Sequence, residues 1–103
     1  MSTIEWLQNY FEECCNGDWE RNYGIKIGTL DNPGWSVKIE LKNTNLEDCS
    51  FEEVRIERDD NNWQICYIED KIFKGYGGVK NLEEILIIFR DWVRKCGISR
   101  LTS

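Results

Sequence analysis

Few side chains in this sequence could carry out chemistry, because its 103 residues include no histidine. Histidine is the commonest general base and metal ligand, and it activates the nucleophile in Ser-His and Cys-His pairs. The remaining candidates are five cysteines, namely Cys14, Cys15, Cys49, Cys66 and Cys96. None of them has the C-x-x-C spacing of a zinc site. We therefore expect no metal, no other cofactor and no catalysis.

Cys15 is the cysteine best placed for reactivity, because it precedes an Asn16-Gly17 turn. A reactive thiol needs a lowered pKa, usually from a neighbouring base. The first base after Cys15 is Arg21, so we favour a buried, unreactive thiol over a sulfurtransferase nucleophile. The odd cysteine count fits a reducing cytoplasm. One disulfide stays possible, because Cys14 and Cys15 point in different directions on a helix and either could meet a distant partner.

A glycine-rich stretch, Gly75-Tyr76-Gly77-Gly78, could in principle bind phosphate, since bare backbone amides before a helix bind anions. It lacks the Lys-Ser/Thr pair of a P-loop and the spacing of the dinucleotide fingerprint. We interpret it instead as a flexible turn that leads to the last helix.

The acidic residues are concentrated in two segments of a chain whose formal net charge is −6. Residues 1–20 contain five acids and no base, and residues 45–60 contain seven acids and two arginines. A nucleic-acid-binding protein needs a basic surface, so we expect no nucleic-acid partner. The simpler interpretation is that these acids form a face exposed to solvent. The more specific interpretation is that they form a surface that binds a basic protein partner.

Trp19 lies between Asp18 and Glu20, after the first predicted helix. A tryptophan ringed by acids could anchor a basic partner. The alternative, which we favour, is that Trp19 closes one end of the core while its acidic neighbours stay in water.

Capping signals predict a helix near each end of the chain. The first starts at Ser2, whose capping-box partner is Glu5, and the last starts after Asn81, with Glu84 in the same role. Gly97 is expected to end the last helix. The apolar stripe of the first helix comprises Ile4, Leu7, Phe11 and Cys14.

Alternating apolar and polar residues predict four or five strands between these helices, most clearly over residues 35–41. Residues 63–68 are apolar on both faces, so we expect this strand to be covered on both sides and to lie centrally. Phe73 is expected on a short fifth strand or a loop. The economical architecture is one α+β domain over residues 1–103, an antiparallel meander with both helices on one face. No segment suggests export or membrane insertion.

The order of several short motifs resembles the immunity protein 53 family of bacterial polymorphic toxin systems. The motifs are Ile4-Glu5-Trp6-Leu7-Gln8, Asn16-Gly17-Asp18-Trp19-Glu20 with Tyr23-Gly24-Ile25-Lys26-Ile27, Leu30-Asp31-Asn32-Pro33-Gly34-Trp35, Lys74-Gly75-Tyr76-Gly77-Gly78, and Asn81-Leu82-Glu83-Glu84 with Phe89-Arg90-Asp91-Trp92. The resemblance implies a small cytoplasmic protein that binds a cognate toxin domain and blocks it without catalysis.

We therefore expect a toxin-binding surface built from acidic segments and nearby aromatic residues. A toxin with a basic working surface, such as a nuclease, would suit it. The candidate toxin-binding residues are Glu12, Glu13, Asp18, Trp19, Glu20, Glu53, Glu57 and Tyr76. Two other functions stay open: a general adaptor or homodimeric module, and a thiol-dependent sulfurtransferase. As an immunity protein, the chain is expected to be a monomer or a weak homodimer.

Overall fold

A five-stranded antiparallel sheet and two long helices make up most of the fold. The computed structural model describes the backbone of residues 1–101 and the side chains of residues 1–96. The elements are α1 (Thr3–Cys14), α2 (Trp19–Asn22), β1 (Ile25–Leu30), β2 (Gly34–Glu40), β3 (Val54–Asp59), β4 (Asn62–Glu69), β5 (Ile72–Gly77) and α3 (Leu82–Leu101). The predicted α+β class is confirmed. Within the described residues, no helix is long and apolar enough to cross a membrane.

The strand order is β1-β2-β5-β4-β3, and every neighbouring pair is antiparallel. This differs from the simple meander we expected, because β5 inserts between the β1–β2 hairpin and the β3–β4 hairpin. The last strand is therefore the central one, and β4 lies beside it. Residues 41–53 connect β2 to β3 at the far edge of the sheet.

The core lies between one face of the sheet and the helices. Alternate residues of β2, β5 and β4 point to this covered face, including Ile39, Phe73 and Cys66, all 0% exposed. They pack with the apolar side of α3, which contributes Ile85, Leu86, Phe89 and Trp92. Because strand side chains alternate, the intervening residues point to the opposite side, which we call the open face.

Two glycines of β5 let α3 approach the sheet closely. A Cβ atom at Gly75 would clash with the Ile85 side chain, and one at Gly77 would lie 2.9 Å from the Cδ1 atom of Ile85. The interpretation of this stretch as a flexible turn was therefore wrong for both residues, which a strand uses for helix packing. The predicted stop at Gly97 was also wrong, since α3 continues to Leu101.

The two helix N-termini differ. At α1 the predicted capping box is confirmed, because the Ser2 hydroxyl accepts from the Glu5 amide at 3.1 Å and the Glu5 carboxylate accepts from the Ser2 amide. Before α3, the Asn81 side-chain amide donates instead to Asn62 (2.9 Å) and to Glu84 (2.6 Å). Asn81 therefore fixes the start of α3 to the β3–β4 turn.

Helix α1 is rotated relative to the predicted stripe. Leu7 is buried as expected, but Ile4 is 54% exposed and Phe11 is 39% exposed. Tyr10 is buried in their place, and its ring packs edge-on against Phe89 of α3 at a centroid distance of 5.2 Å. The aromatic contacts with α3 therefore set which side of α1 faces the core.

The β2–β3 connection is fastened to α3. Cys49 and Cys96 form a disulfide with a Cα–Cα distance of 6.3 Å. The Trp92 indole N–H donates to the Ser50 carbonyl oxygen at 2.8 Å. The pair involves neither Cys14 nor Cys15, and a disulfide runs against the expectation of a reducing compartment.

Candidate binding surfaces

The structure does not bring the eight predicted toxin-binding residues together. Five of them belong to the acidic helical region, by which we mean α1, α2 and the turn between them: Glu12, Glu13, Asp18, Trp19 and Glu20. Of the other three, Glu57 and Tyr76 lie on the open face, and Glu53, just before β3, forms an ion pair with Arg55 of that face. Because the helices lie on the covered face, these two groups form separate surfaces.

Trp19 is buried, with only 1% of its surface exposed. Its ring lies 5.9 Å from that of Phe11, so it packs against the last turns of α1. This agrees in part with the favoured alternative: Trp19 is buried and Asp18 is exposed, but Trp19 lies outside the main core cluster and Glu20 is half-buried. Trp19 therefore has no side-chain surface with which to anchor a partner.

The turn that leads to Trp19 is held by its own side chains. Glu20 accepts hydrogen bonds from the backbone amides of Asn16 (2.9 Å) and Gly17 (2.8 Å). Hydrogen bonding to its own backbone amide and to these two amides holds the pKa of Glu20 below its ordinary value. In the acidic helical region, Glu12, Glu13 and Asp18 are exposed, whereas the Glu20 carboxylate is bonded within the turn.

The thiols of Cys15 and Cys66 are not activated. The pKa of Cys15 is raised by desolvation and then by the nearby carboxylates of Glu20 and Glu12. Burial raises the pKa of Cys66 to about 12. Both shifts oppose formation of the thiolate, which is the reactive species. Among the described side chains, no group of three or more acidic, cysteine or histidine residues could hold a metal ion.

The open face carries a cluster of aromatic and apolar side chains at its centre. Tyr76 of β5 stands opposite Ile65 of β4, and the Tyr67 and Tyr76 rings are 6.3 Å apart. Trp63 and Ile72 lie on the same side of their strands. All five side chains are half-buried among their neighbours. The expectation that β4 is covered on both sides was wrong, because both helices pack on the other face.

A row of lysines lies beside this cluster. Lys26, Lys38 and Lys74 stand directly opposite one another across β1, β2 and β5. Lys74 forms an ion pair with Glu69 at 2.7 Å, and this hydrogen bond raises the pKa of Lys74 and lowers that of Glu69. Lys26 and Lys38 are exposed and take part in no ion pair with any side chain that the structure describes.

The acidic candidates on the open face are already paired. Arg55 of β3 forms ion pairs with Glu53 (3.4 Å) and Glu57 (3.2 Å). All three side chains are more than half exposed, so these pairs contribute little to stability. They do, however, offset the acidic charge that the sequence places at this edge, and the lysine row gives the open face a basic side.

The family comparison agrees with the motif order noted above. A model of the family described as immunity protein 53 matches residues 4–94. Comparison with curated proteins and with solved structures gave no match. Because the family match covers most of the chain, including most of both long helices and all five strands, this protein belongs to the immunity protein 53 family.

Proposed function

We propose that this protein binds a cognate bacterial toxin and neutralises it by covering the working surface of the toxin, without catalysis. The observation that carries the proposal is the family match over residues 4–94. Occlusion by contact needs a rigid surface and no reactive group. The packed core and the raised pKa values of Cys15 and Cys66 are in keeping with that requirement.

We place this action in the cytoplasm, where an immunity protein would protect the cell that makes it. The Cys49–Cys96 disulfide is the observation opposed to this location, since thiols stay reduced there. The proposal therefore requires that the fold and its binding surfaces persist when both cysteines are thiols.

The charge of the toxin surface depends on which surface of this protein is used. A nuclease, whose substrate groove is basic, would suit the acidic helical region, where Glu12, Glu13 and Asp18 are exposed. The exposed apolar side chains of Ile4 and Phe11 add contact area to that region. The open face carries Lys26 and Lys38, which form no ion pair with any side chain that the structure describes, so the two surfaces predict different partners.

The test is to mix the purified protein with the toxin domain encoded beside its gene and to measure toxin activity. We expect an equimolar complex and loss of activity at equimolar ratio, whereas an unrelated toxin keeps its activity. If the toxin stays fully active when this protein is present in excess over it, the proposal is wrong.

A homodimeric binding module is the second candidate function, and the uncovered aromatic cluster around Tyr76 favours it. Static light scattering of the isolated protein separates the two candidates. The immunity function predicts a monomer or a weakly associating dimer that the toxin dissociates. A tight dimer that does not bind the toxin would favour the module.

A further inference from the structure

Strand β4 has the residue pattern of a strand buried on both faces, yet the helices cover only one of them. On the covered face, Cys66 is 0% and Gln64 is 2% exposed. On the open face, the same strand presents Trp63, Ile65 and Tyr67. A strand with one solvated face normally alternates apolar with polar residues. The outer side of β4 therefore has a composition that suits a second covering layer.

The composition of this uncovered cluster is that of a protein interface. Tryptophan, tyrosine and arginine are enriched at binding hot spots, where they supply large contact areas and hydrogen bonds. Here Tyr67 and Tyr76 are adjacent, and Arg55 stands directly opposite Ile65. These side chains project from paired strands, so they are held in place before a partner arrives, which reduces the entropy lost on binding.

The lysine row specifies the charge of the partner. Like charges directly opposite one another on adjacent strands are destabilising. The chain nevertheless aligns Lys26, Lys38 and Lys74 while its net charge is −6, and Glu69 neutralises only the last of them. Carboxylates from a partner, placed above Lys26 and Lys38, would remove this repulsion.

We propose that the cognate toxin docks on the open face and presents an acidic patch there. Its carboxylates meet Lys26 and Lys38, and its apolar side chains cover Tyr67, Tyr76 and Ile65. This inference rests on the proposed function, and it assigns the contact to the lysine side of the open face, whereas the acidic helical region would meet a basic partner. Single-stranded nucleic acid also binds aromatic residues and lysines on sheets, but the net charge of −6 opposes it.

Charge reversal on the open face tests the inference. In the double variant Lys26→Glu, Lys38→Glu, we expect the Kd for the toxin domain to rise by about 10- to 100-fold at low salt, with a smaller rise at higher ionic strength. The matched control is Arg94→Glu, Lys95→Glu, which makes the same charge change on the exposed side of α3. The control should stay within about twofold of the natural protein.

Two further variants separate the surfaces. Tyr76→Ala should weaken binding by about tenfold or more through lost apolar contact. Glu12→Lys, Glu13→Lys, in the acidic helical region, should leave the Kd within about twofold. Circular dichroism and the melting temperature verify that each variant is folded.

The possible failures can be told apart. If the toxin binds the natural protein but only the Glu12, Glu13 variant loses affinity, the inference is wrong and the proposed function stands. If the natural protein does not bind the toxin, both fail. The inference is also overturned if this face binds a single-stranded oligonucleotide, or if light scattering shows a tight homodimer that the lysine variant dissociates.

Discussion

The two faces of the same sheet have different residues and different surroundings. On the covered face, Val37, Phe73 and Cys66 are completely buried beneath α3. On the open face, Tyr67 and Tyr76 are only half-buried, and a row of lysines runs beside them. Alternation along each strand thus presents two patterns at once, one that stabilises the fold and one that is available to a partner. Substitutions on one face should change stability, and substitutions on the other should change binding.

The largest expected effect on stability is the difference between the variants Phe89→Ala, on the covered face, and Tyr76→Ala, on the open face. Phe89 is 0% exposed, and its ring lies 4.9 Å from that of Phe73, so its removal should lower the free energy of unfolding by about 3–5 kcal/mol. Tyr76→Ala removes a half-buried strand residue and should cost only about 1 kcal/mol. Urea unfolding measures both values. Equal losses would contradict the separation of the two faces.

Loss of the Cys49–Cys96 disulfide should have the next largest effect, because this bond fastens the β2–β3 connection to the helix that covers the sheet. It joins residues 47 positions apart, so Cys96→Ser should lower the free energy of unfolding by about 2–4 kcal/mol. The affinity of the folded protein for the toxin should not change. Reductant should destabilise the natural protein and should not affect the double variant Cys49→Ser, Cys96→Ser. If reductant also destabilises the double variant, the disulfide is not the cause of the destabilisation.

The smallest expected effect on stability comes from the Cys66 thiol and should appear at alkaline pH. Burial on the covered face raises the pKa of Cys66 to about 12, from an ordinary value of 9.0. The folded state therefore keeps its proton where the unfolded state loses it, and stability falls as pH rises above 9.0. Between about pH 8 and about pH 10 the natural protein should lose about 1 kcal/mol more than Cys66→Ser. Identical pH dependence of urea unfolding in the two proteins would contradict this burial effect.

Much of the fold could be predicted from local sequence patterns. The Ser2 capping box and the alternation of β2 each depend on neighbouring residues, and both are present in the structure. The strand order could not be predicted in this way, because the pairing of β2 with β5 joins residues far apart in sequence. The glycines of β5 were misinterpreted for the same reason, since their partner is Ile85 of another element.

The candidate site was less predictable than the fold. The acidic segments are evident in the sequence, but the structure distributes them over two surfaces and pairs Glu53 and Glu57 with Arg55. The lysine row was missed, because Lys26, Lys38 and Lys74 become neighbours only when β1, β2 and β5 are in register. One signal was present: the two-sided apolar pattern of residues 63–68 indicated a second cover, although the helices do not provide it.

The position of β5 has a consequence for how the chain is made. Synthesis proceeds from the N-terminus, so both hairpins leave the ribosome before residues 72–77, which must pair with each of them. Until β5 is made, the β1–β2 and β3–β4 hairpins have no shared strand to join them into one sheet. A truncated product that ends before Ile72 would lack Lys74 and Tyr76 and the strand that joins the two hairpins into one sheet.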